Sequence, residues 1–583
     1  MKIISILVVL LSFLGTSPAL GDENAISLTG TWKFHLGDNP EWINPAFPDS
    51  QWDFIGVPQI WENAGYGDYD GYAWYRKSVM IPAEWRNNKY VKLKNHLYLQ
   101  LGEIDDVDQT FINGYPIGST GSFPPDFISG ADKPRTYEIP LHIIRWGEAN
   151  FIAIRVYDQE GKGGIFTGNV ALKPPNQIDY VNFTTKINSG ESIYRCNQNL
   201  SVDATIENNS FDPLIGNLDF EILTDEKISI QTASYPVHQT IGKQLTFSTA
   251  FRLRKPGIYI LKSTFSHEDD ICFSTEKLLG CDVLRMIATP DQERDFVEFW
   301  QRTKQQLSQI PLQTKIEKID TLCTDSKDVY SARILAFDDI YIYGWYVIPN
   351  QPVNCPVILE FPGYSNRSAP RLDGHYDNFA VLSLDIRGHG RSRGEIKPSF
   401  PGYLVWNIDN KEKYIYRGAF MDCLRAVDFL FSRPEVDTSR IAVCGTQQGG
   451  GLALVAAALD PRIKLVIADS PFLANFQAAV KIAFLPYNEI IQYIVEHPTR
   501  KRSTLKNLSY FDALNFANNI RCPVLMSLTL NDRTCPPRTC FAVYNQIGAE
   551  KEYVVFSNKA ERDGSPDYET YKTNWIKSRF KIR

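Results

Sequence analysis

At 583 residues the chain is too long for one hydrophobic core and, at roughly 100 to 200 residues per domain, is expected to hold about three. Its net charge of −6 is small for that length and no long run of one sign occurs, which excludes the electrostatic footprint of a nucleic-acid or anionic-membrane binder. A neutral partner is expected, and aromatics at 13 %, crowded into the first 160 or so residues, suit sandwich cores or sugar-facing sheets.

Met1-Lys2, the apolar run from Ile3 to Leu14, and the small residues of Ala19-Leu20-Gly21 have the order of a secretory signal peptide, so residues 1–21 are expected to be removed on export to the periplasm or the exterior. The run is too short to span a membrane, and no other segment reaches 18 continuous apolar residues, so no transmembrane segment is expected.

Residues 22–175 read as short alternating strands such as Tyr98 to Gly102 and Phe151 to Val156, broken every 8 to 12 positions by Gly, Pro, Asn or Asp. That is the pattern of an all-β sandwich. The motifs Gly30-Thr31-Trp32-Lys33-Phe34, Phe47-Pro48-Asp49, Gly71-Tyr72-Ala73-Trp74-Tyr75-Arg76 and Phe111-Ile112-Asn113-Gly114 resemble the N-terminal, galactose-binding-like jelly-roll of glycoside hydrolase family 2. Trp74 and Tyr75 are its candidate sugar contacts, with a core role as the plain alternative.

Lys173-Pro174-Pro175-Asn176 is a stiff break. Residues 176–286 alternate again, in Leu200 to Ile206 and Phe247 to Leu253, as an immunoglobulin-like spacer without chemistry of its own. Ten cysteines without CxxC pairs exclude a zinc ribbon; Cys272 with Cys281 and Cys535 with Cys540 are candidate disulfides.

Thr289-Pro290 reads as a helix start, with Phe296, Phe299, Trp300 and Leu307 at helical spacing. From there to residue 583 apolar runs alternate with helix-length segments: Pro356 to Phe361, Ala380 to Asp385, Lys464 to Asp469 and Cys522 to Leu528, with the helix Ala419 to Phe431 among them. Buried parallel strands and an α/β domain are predicted for residues 287–583. The fold class is thus multi-domain: a jelly-roll, an immunoglobulin-like sandwich, then an α/β-hydrolase with a mostly parallel sheet.

Between the strand-like Arg440 to Cys444 and the small-residue helix Leu452 to Leu459 stands Gly445-Thr446-Gln447-Gln448-Gly449. This is the frame of the G-x-S-x-G elbow, in which the central residue projects from a strained strand-to-helix corner. Here that residue is Gln447, and a carboxamide has no proton to surrender to a base and forms no useful acyl intermediate.

With Phe361-Pro362-Gly363-Tyr364, Asp385-Ile386-Arg387-Gly388-His389-Gly390, Tyr416-Arg417-Gly418, the elbow and Asp532-Arg533-Thr534 in that order, the third domain resembles the acetyl xylan esterase and cephalosporin C deacetylase group, carbohydrate esterase family 7. The resemblance implies an α/β-hydrolase that deacetylates sugars with serine, aspartate and histidine, and a homo-oligomer. It places oxyanion amides at Tyr364 and Gln448 and the triad acid at Asp532. The family's terminal Gly-His-Glu falls near Ser557 to Glu561, where no histidine stands, and none occurs after His497. His389 is the candidate displaced base, Thr446 and Ser470 are candidate replacement hydroxyls, and Arg387 and Arg417 are pocket residues or structural hydrogen-bonders.

The expected function is a secreted carbohydrate-processing protein with lost or strongly altered esterase activity, acting on neutral or acetylated polysaccharide or oligosaccharide. An active O-deacetylase with a displaced constellation is the alternative, and a glycoside hydrolase accessory protein a further one. No metal site and no cofactor are expected, since no zinc, P-loop or dinucleotide pattern occurs.

Overall fold

The computed structural model describes residues 25–582 apart from 68, 132, 160–162, 188–191, 268–269, 351–353, 373, 395, 400–401, 484–485, 558–561 and 563–564. The expected signal peptide and most of the segment near the family's Gly-His-Glu lie outside the described residues.

Three cores follow one another. The first is a sandwich of a six-stranded and a four-stranded sheet, in which every strand pairs antiparallel. Its central strand Gly71–Met80 is buried on both faces from Ala73 to Arg76, because a second apolar layer of Trp42, Trp52 and Phe111 covers the outer side. Trp74 and Tyr75 are therefore core residues, 1 % and 0 % exposed, and do not reach a glycan.

The second core lies between a three-stranded and a five-stranded sheet. Cys281 bonds Cys196, while Cys272, Cys535 and Cys540 are thiols, which corrects both expected pairings. Cys272 and Cys281 share the strand Asp270–Cys281, and nine residues at about 3.3 Å each hold their Cα atoms far beyond the ~7 Å a disulfide tolerates.

The third domain opens with α1 (Phe296–Ser308), whose Phe296, Phe299, Trp300, Thr303 and Leu307 face the core. It begins seven residues after Thr289. The intervening chain is held by tertiary bonds, from the Asp291 amide to Asn515 Oδ1 at 2.9 Å and from the Gln292 carboxamide to the Asn515 carbonyl, which outweigh the local Thr-Pro signal.

Its sheet has nine strands: β1 (Thr314–Lys318), β2 (Lys327–Leu335), β3 (Tyr341–Pro349), β4 (Cys355–Phe361), β5 (Ala380–Asp385), β6 (Val436–Thr446), β7 (Leu465–Asp469), β8 (Val524–Thr529) and β9 (Lys551–Phe556). Their order is β1-β2-β3-β5-β4-β6-β7-β8-β9. The first three join antiparallel, as does β3 to β5, and all further pairs are parallel. Helices α2 (Ile415–Phe431), α3 (Gln448–Leu459) and α4 (Pro566–Phe580) complete the doubly covered sheet. With apolar side chains on both faces, β5, β7 and β8 are buried at every position, as parallel strands under helices must be.

Candidate functional site at the strand-to-helix elbow

β6 runs between β4 and β7 and ends at Thr446, and α3 starts at Gln448. Gln447 is the corner, with φ 53° and ψ −111°, a conformation that side-chain-bearing residues rarely adopt. Backbone bonds hold it there. The Gln447 amide donates to the Asp469 carbonyl at 2.8 Å, and its carbonyl accepts from the amides of Phe472 at 2.9 Å and Gly451 at 3.1 Å.

Helix and strand approach so closely at this corner that two glycines are obligatory. A Cβ on Gly445 would sit 2.3 Å from the Gly449 backbone, and one on Gly449 would sit 2.3 Å from the Phe361 carbonyl oxygen. Those clashes are independent of what the apex side chain does.

Gln448 is wholly buried and its carboxamide is anchored at both ends. Tyr416 Oη donates to its Oε1 at 2.7 Å, and its Nε2 faces the carbonyls of Pro362 and Gly363 at 3.4 and 3.3 Å and His389 Nε2 at 3.0 Å. An amide nitrogen only donates, so His389 Nε2 accepts, and the ring proton resides on Nδ1, 3.3 Å from the Arg387 carbonyl. Burial pushes the His389 imidazole down to about 4, so the ring is neutral near pH 7. Its inner nitrogen meets Gln448, the residue after the apex.

Tyr364 follows β4 and Gly363. Its hydroxyl donates to Glu489 Oε1 at 2.6 Å, and the other Glu489 oxygen receives the amides of Gly402 at 2.9 Å and Leu404 at 3.2 Å. Burial and the facing Glu489 carboxylate raise the phenol well above its ordinary value, so it is a neutral donor that ties two loops to the end of β4.

Asp532 follows β8 by three residues, and its Oδ1 accepts the amides of Thr534 at 2.9 Å and Cys535 at 2.8 Å in a side-chain-closed turn. It lines a small cavity of about 90 Å3 formed with Ile258, Ile260 and Leu278 of the second domain. Beside it Arg538 Nη1 donates to Asp225 Oδ1 at 3.0 Å and to Glu226 Oε1 at 2.9 Å, clamping a turn of the spacer against this loop.

The two arginines do not line the cavity at the elbow. Arg387 is fully engaged by both Asp422 oxygens, at 2.8 and 2.9 Å, and by Asp338 Oδ2 at 2.9 Å. Arg417 donates to Thr303 Oγ1 at 3.2 Å and Gln306 Oε1 at 2.5 Å. Both brace α2.

The space next to the apex is a cavity of about 490 Å3 walled by the ends of β4, β6 and β7, the loop after β4, and α4. Thr446 and Gln447 line it together with Arg367, Arg371, Arg562 and Lys572. Ser470 is buried behind it and accepts from Arg562 Nη1 at 2.5 Å. Sequence reasoning missed the charged wall, although Glu360 interrupting the apolar run of β4 was its one visible sign.

Among the described residues one acidic trio, Asp105, Asp106 and Asp158 of the first domain, has ligand atoms within 4.8 Å of one another.

The family model described as "Acetyl xylan esterase (AXE1)" matches residues 284–579. The acetyl esterase Axe7A of Xylanibacter ruminicola is 28 % identical over 319 residues, spanning 52 % of this chain and 70 % of that protein. A solved acetyl xylan esterase from Paenibacillus sp. R4 is 36 % identical, covering 51 % of this chain and 98 % of the other, with a TM-score of 0.48. A 143-residue stretch is 26 % identical to the beta-galactosidase BoGH2A of Bacteroides ovatus, 22 % of this chain and 15 % of that one.

Proposed function

Because the chain belongs to the acetyl xylan esterase family, we propose that it is an exported carbohydrate-associated protein whose third domain keeps the shell of a deacetylase but has lost acetyl-ester turnover. The observation that carries this reading is Gln447 at the apex in the strained corner conformation. The corner is built, and the group presented at its tip is chemically inert as a nucleophile.

In this reading the Tyr364 and Gln448 backbone amides hold the oxyanion positions and Asp532 the acid position, with no histidine for Asp532 to orient. His389 serves as the packing partner of Gln448, since the nitrogen that a base would offer already accepts a hydrogen bond inside the core. Loss of a triad nucleophile lowers turnover by roughly 10⁶ in an enzyme of this type, leaving binding as the property open to selection. The order of residues 1–21 supports export, and no described helix is long and apolar enough to cross a membrane.

The test is acetate release from acetylated xylan and 4-nitrophenyl acetate, run beside a glycan-binding screen on the same protein. Binding without release is expected. Robust release that disappears in His389→Gln or Thr446→Val would overturn the reading in favour of a displaced constellation.

A further inference from the structure

The outer face of the six-stranded sheet in the first domain is covered over part of its area only. On one side Trp42 and Trp52 pack on Trp74, Phe111 and Ala153. On the other, Phe123, from the loop after the strand Tyr115–Thr120, stacks on Tyr72 with ring centres 5.9 Å apart, and Tyr72 lies 4.7 Å from Tyr157. Between these two aromatic ridges runs one line of directly opposed residues, His35, Trp74, Arg155, Gln109 and Ser119, on five adjacent strands. Residues opposed in this way share a face, and at about 4.8 Å between strands the line is about 19 Å long.

Apart from the buried Trp74, the line is polar and reaches solvent. His35 and Ser119 are exposed and Gln109 is half-buried. Asp38, just past the strand Gly30–Leu36, fills the step above Trp74: one oxygen accepts from the indole nitrogen at 3.1 Å and from Arg155 Nε at 2.8 Å, and the other accepts from Arg155 Nη2. The guanidinium also lies over the rings of Tyr72 and Phe123, 4.6 and 4.4 Å from their centres, which fixes its position. The pair still keeps about a quarter of its side-chain surface open, 22 % for Arg155 and 27 % for Asp38. The result is a fixed row of donors and acceptors: imidazole, carboxylate, guanidinium, carboxamide and hydroxyl. Because its guanidinium and carboxylate are matched one to one, the pair offers no net attraction to an anionic chain. Sugar hydroxyls both donate and accept, and the apolar faces of sugar rings suit the half-buried aromatic ridges. A line of about 19 Å takes several such rings end to end.

We propose that this row is a binding site for a neutral polysaccharide strand, laid across the five β-strands with its hydroxyls on Asp38, Arg155 and Gln109 and its rings between the two aromatic ridges. It is a second site, apart from the cavity at the elbow, and does not depend on how the third domain acts. The buried Trp74 contributes from below by orienting Asp38.

The test is calorimetric titration of the full chain with xylohexaose, cellohexaose and mannohexaose, and with xylose, glucose and mannose. At least one hexaose is expected to bind at least tenfold more tightly than its monosaccharide, and to lose at least tenfold in Gln109→Ala and in Ser119→Arg. Ser119 is exposed, so its variant blocks the row without entering the core. Amide hydrogen exchange should slow on binding in residues 35–38, 109–119 and 155–157. Failure of all three hexaoses to bind, a hexaose bound no more tightly than its monosaccharide, or an unchanged affinity in Ser119→Arg each overturns the assignment. Slowed exchange confined to residues 445–448 would also overturn it, by moving the ligand to the elbow, and would leave the reading of the third domain intact. Acetate release is scored separately, since turnover bears on the lost-esterase reading alone.

Discussion

The side-chain nitrogens of Gln448 and His389 lie 3.0 Å apart in the buried wall behind the elbow, with the amide as donor and the imidazole as acceptor. The histidine is thereby held in one tautomer, joined to Tyr416 through the same amide. The side chain that the sequence offers as a displaced base packs against the residue that follows the apex.

One consequence concerns pH. With its folded-state value depressed to about 4 against about 6.5 when exposed, His389 binds a proton in the unfolded chain before it does so in the folded one. Stability of the third domain should therefore be complete above about pH 6.5 and fall as the pH drops toward 4, by about 3 kcal/mol at most from this group. Calorimetric melting at pH 7 and pH 4.5 should show a smaller pH-dependent drop in His389→Gln than in the native chain. Equal drops in the two proteins would refute it.

Restoring the nucleophile by itself should not restore the reaction. Gln447→Ser is expected to leave hydrolysis of 4-nitrophenyl acetate near the uncatalysed rate, because no histidine follows His497 and Asp532 would still have no imidazole to orient toward the serine. A rise of a thousandfold or more over the native chain would show that a base is present after all.

The glycine at the foot of the helix is set by sterics. Gly449→Ala drives a Cβ to 2.3 Å from the Phe361 carbonyl, and the helix or β4 must shift to admit it. Overpacking of this kind costs about 1 to 3 kcal/mol. Urea unfolding should place the variant lower by that amount, whereas an alanine tolerated without loss would mean that the strand and helix are less tightly apposed.

Between the second and third domains, Arg538 is the clamp. Its removal in Arg538→Ala leaves Asp225, a carboxyl that burial already raises above its ordinary value, without its cation. A half-exposed ion pair of this kind is expected to contribute about 1 kcal/mol. Amide hydrogen exchange should quicken in residues 225–227 and 531–538 of the variant while the sheet of the third domain remains protected. Unaltered exchange in both segments would mean that the apolar contacts around Ile258, Ile260 and Leu278 suffice to hold the domains together.

Much of this was legible locally. The period of the apolar residues marked sandwiches before residue 286 and buried parallel strands after it, since a strand covered on both faces has no polar side to display. The elbow was legible too, because Gly445 and Gly449 stand at fixed spacing in one five-residue stretch, although the contact that demands Gly449 comes from the distant Phe361 carbonyl, and the chemical change at Gln447 is a property of one side chain. The helix start at Thr289-Pro290 and the pairing of Cys281 were misread, as both were overruled by residues distant in the chain: Asn515 in one case and Cys196 in the other.

By itself, then, the sequence determined the three-part architecture, the shape of the elbow and the absence of a nucleophile at its apex, all of which depend on short-range periodicity and on single side chains. Only the tertiary structure decided that His389 packs on Gln448 and that Arg367, Arg371, Arg562 and Lys572 converge on the space beside Gln447. The physical reason is separation: parallel strands bring their ends together across long crossovers, so the charges that share this wall come from segments about 200 residues apart and leave no joint pattern along the chain.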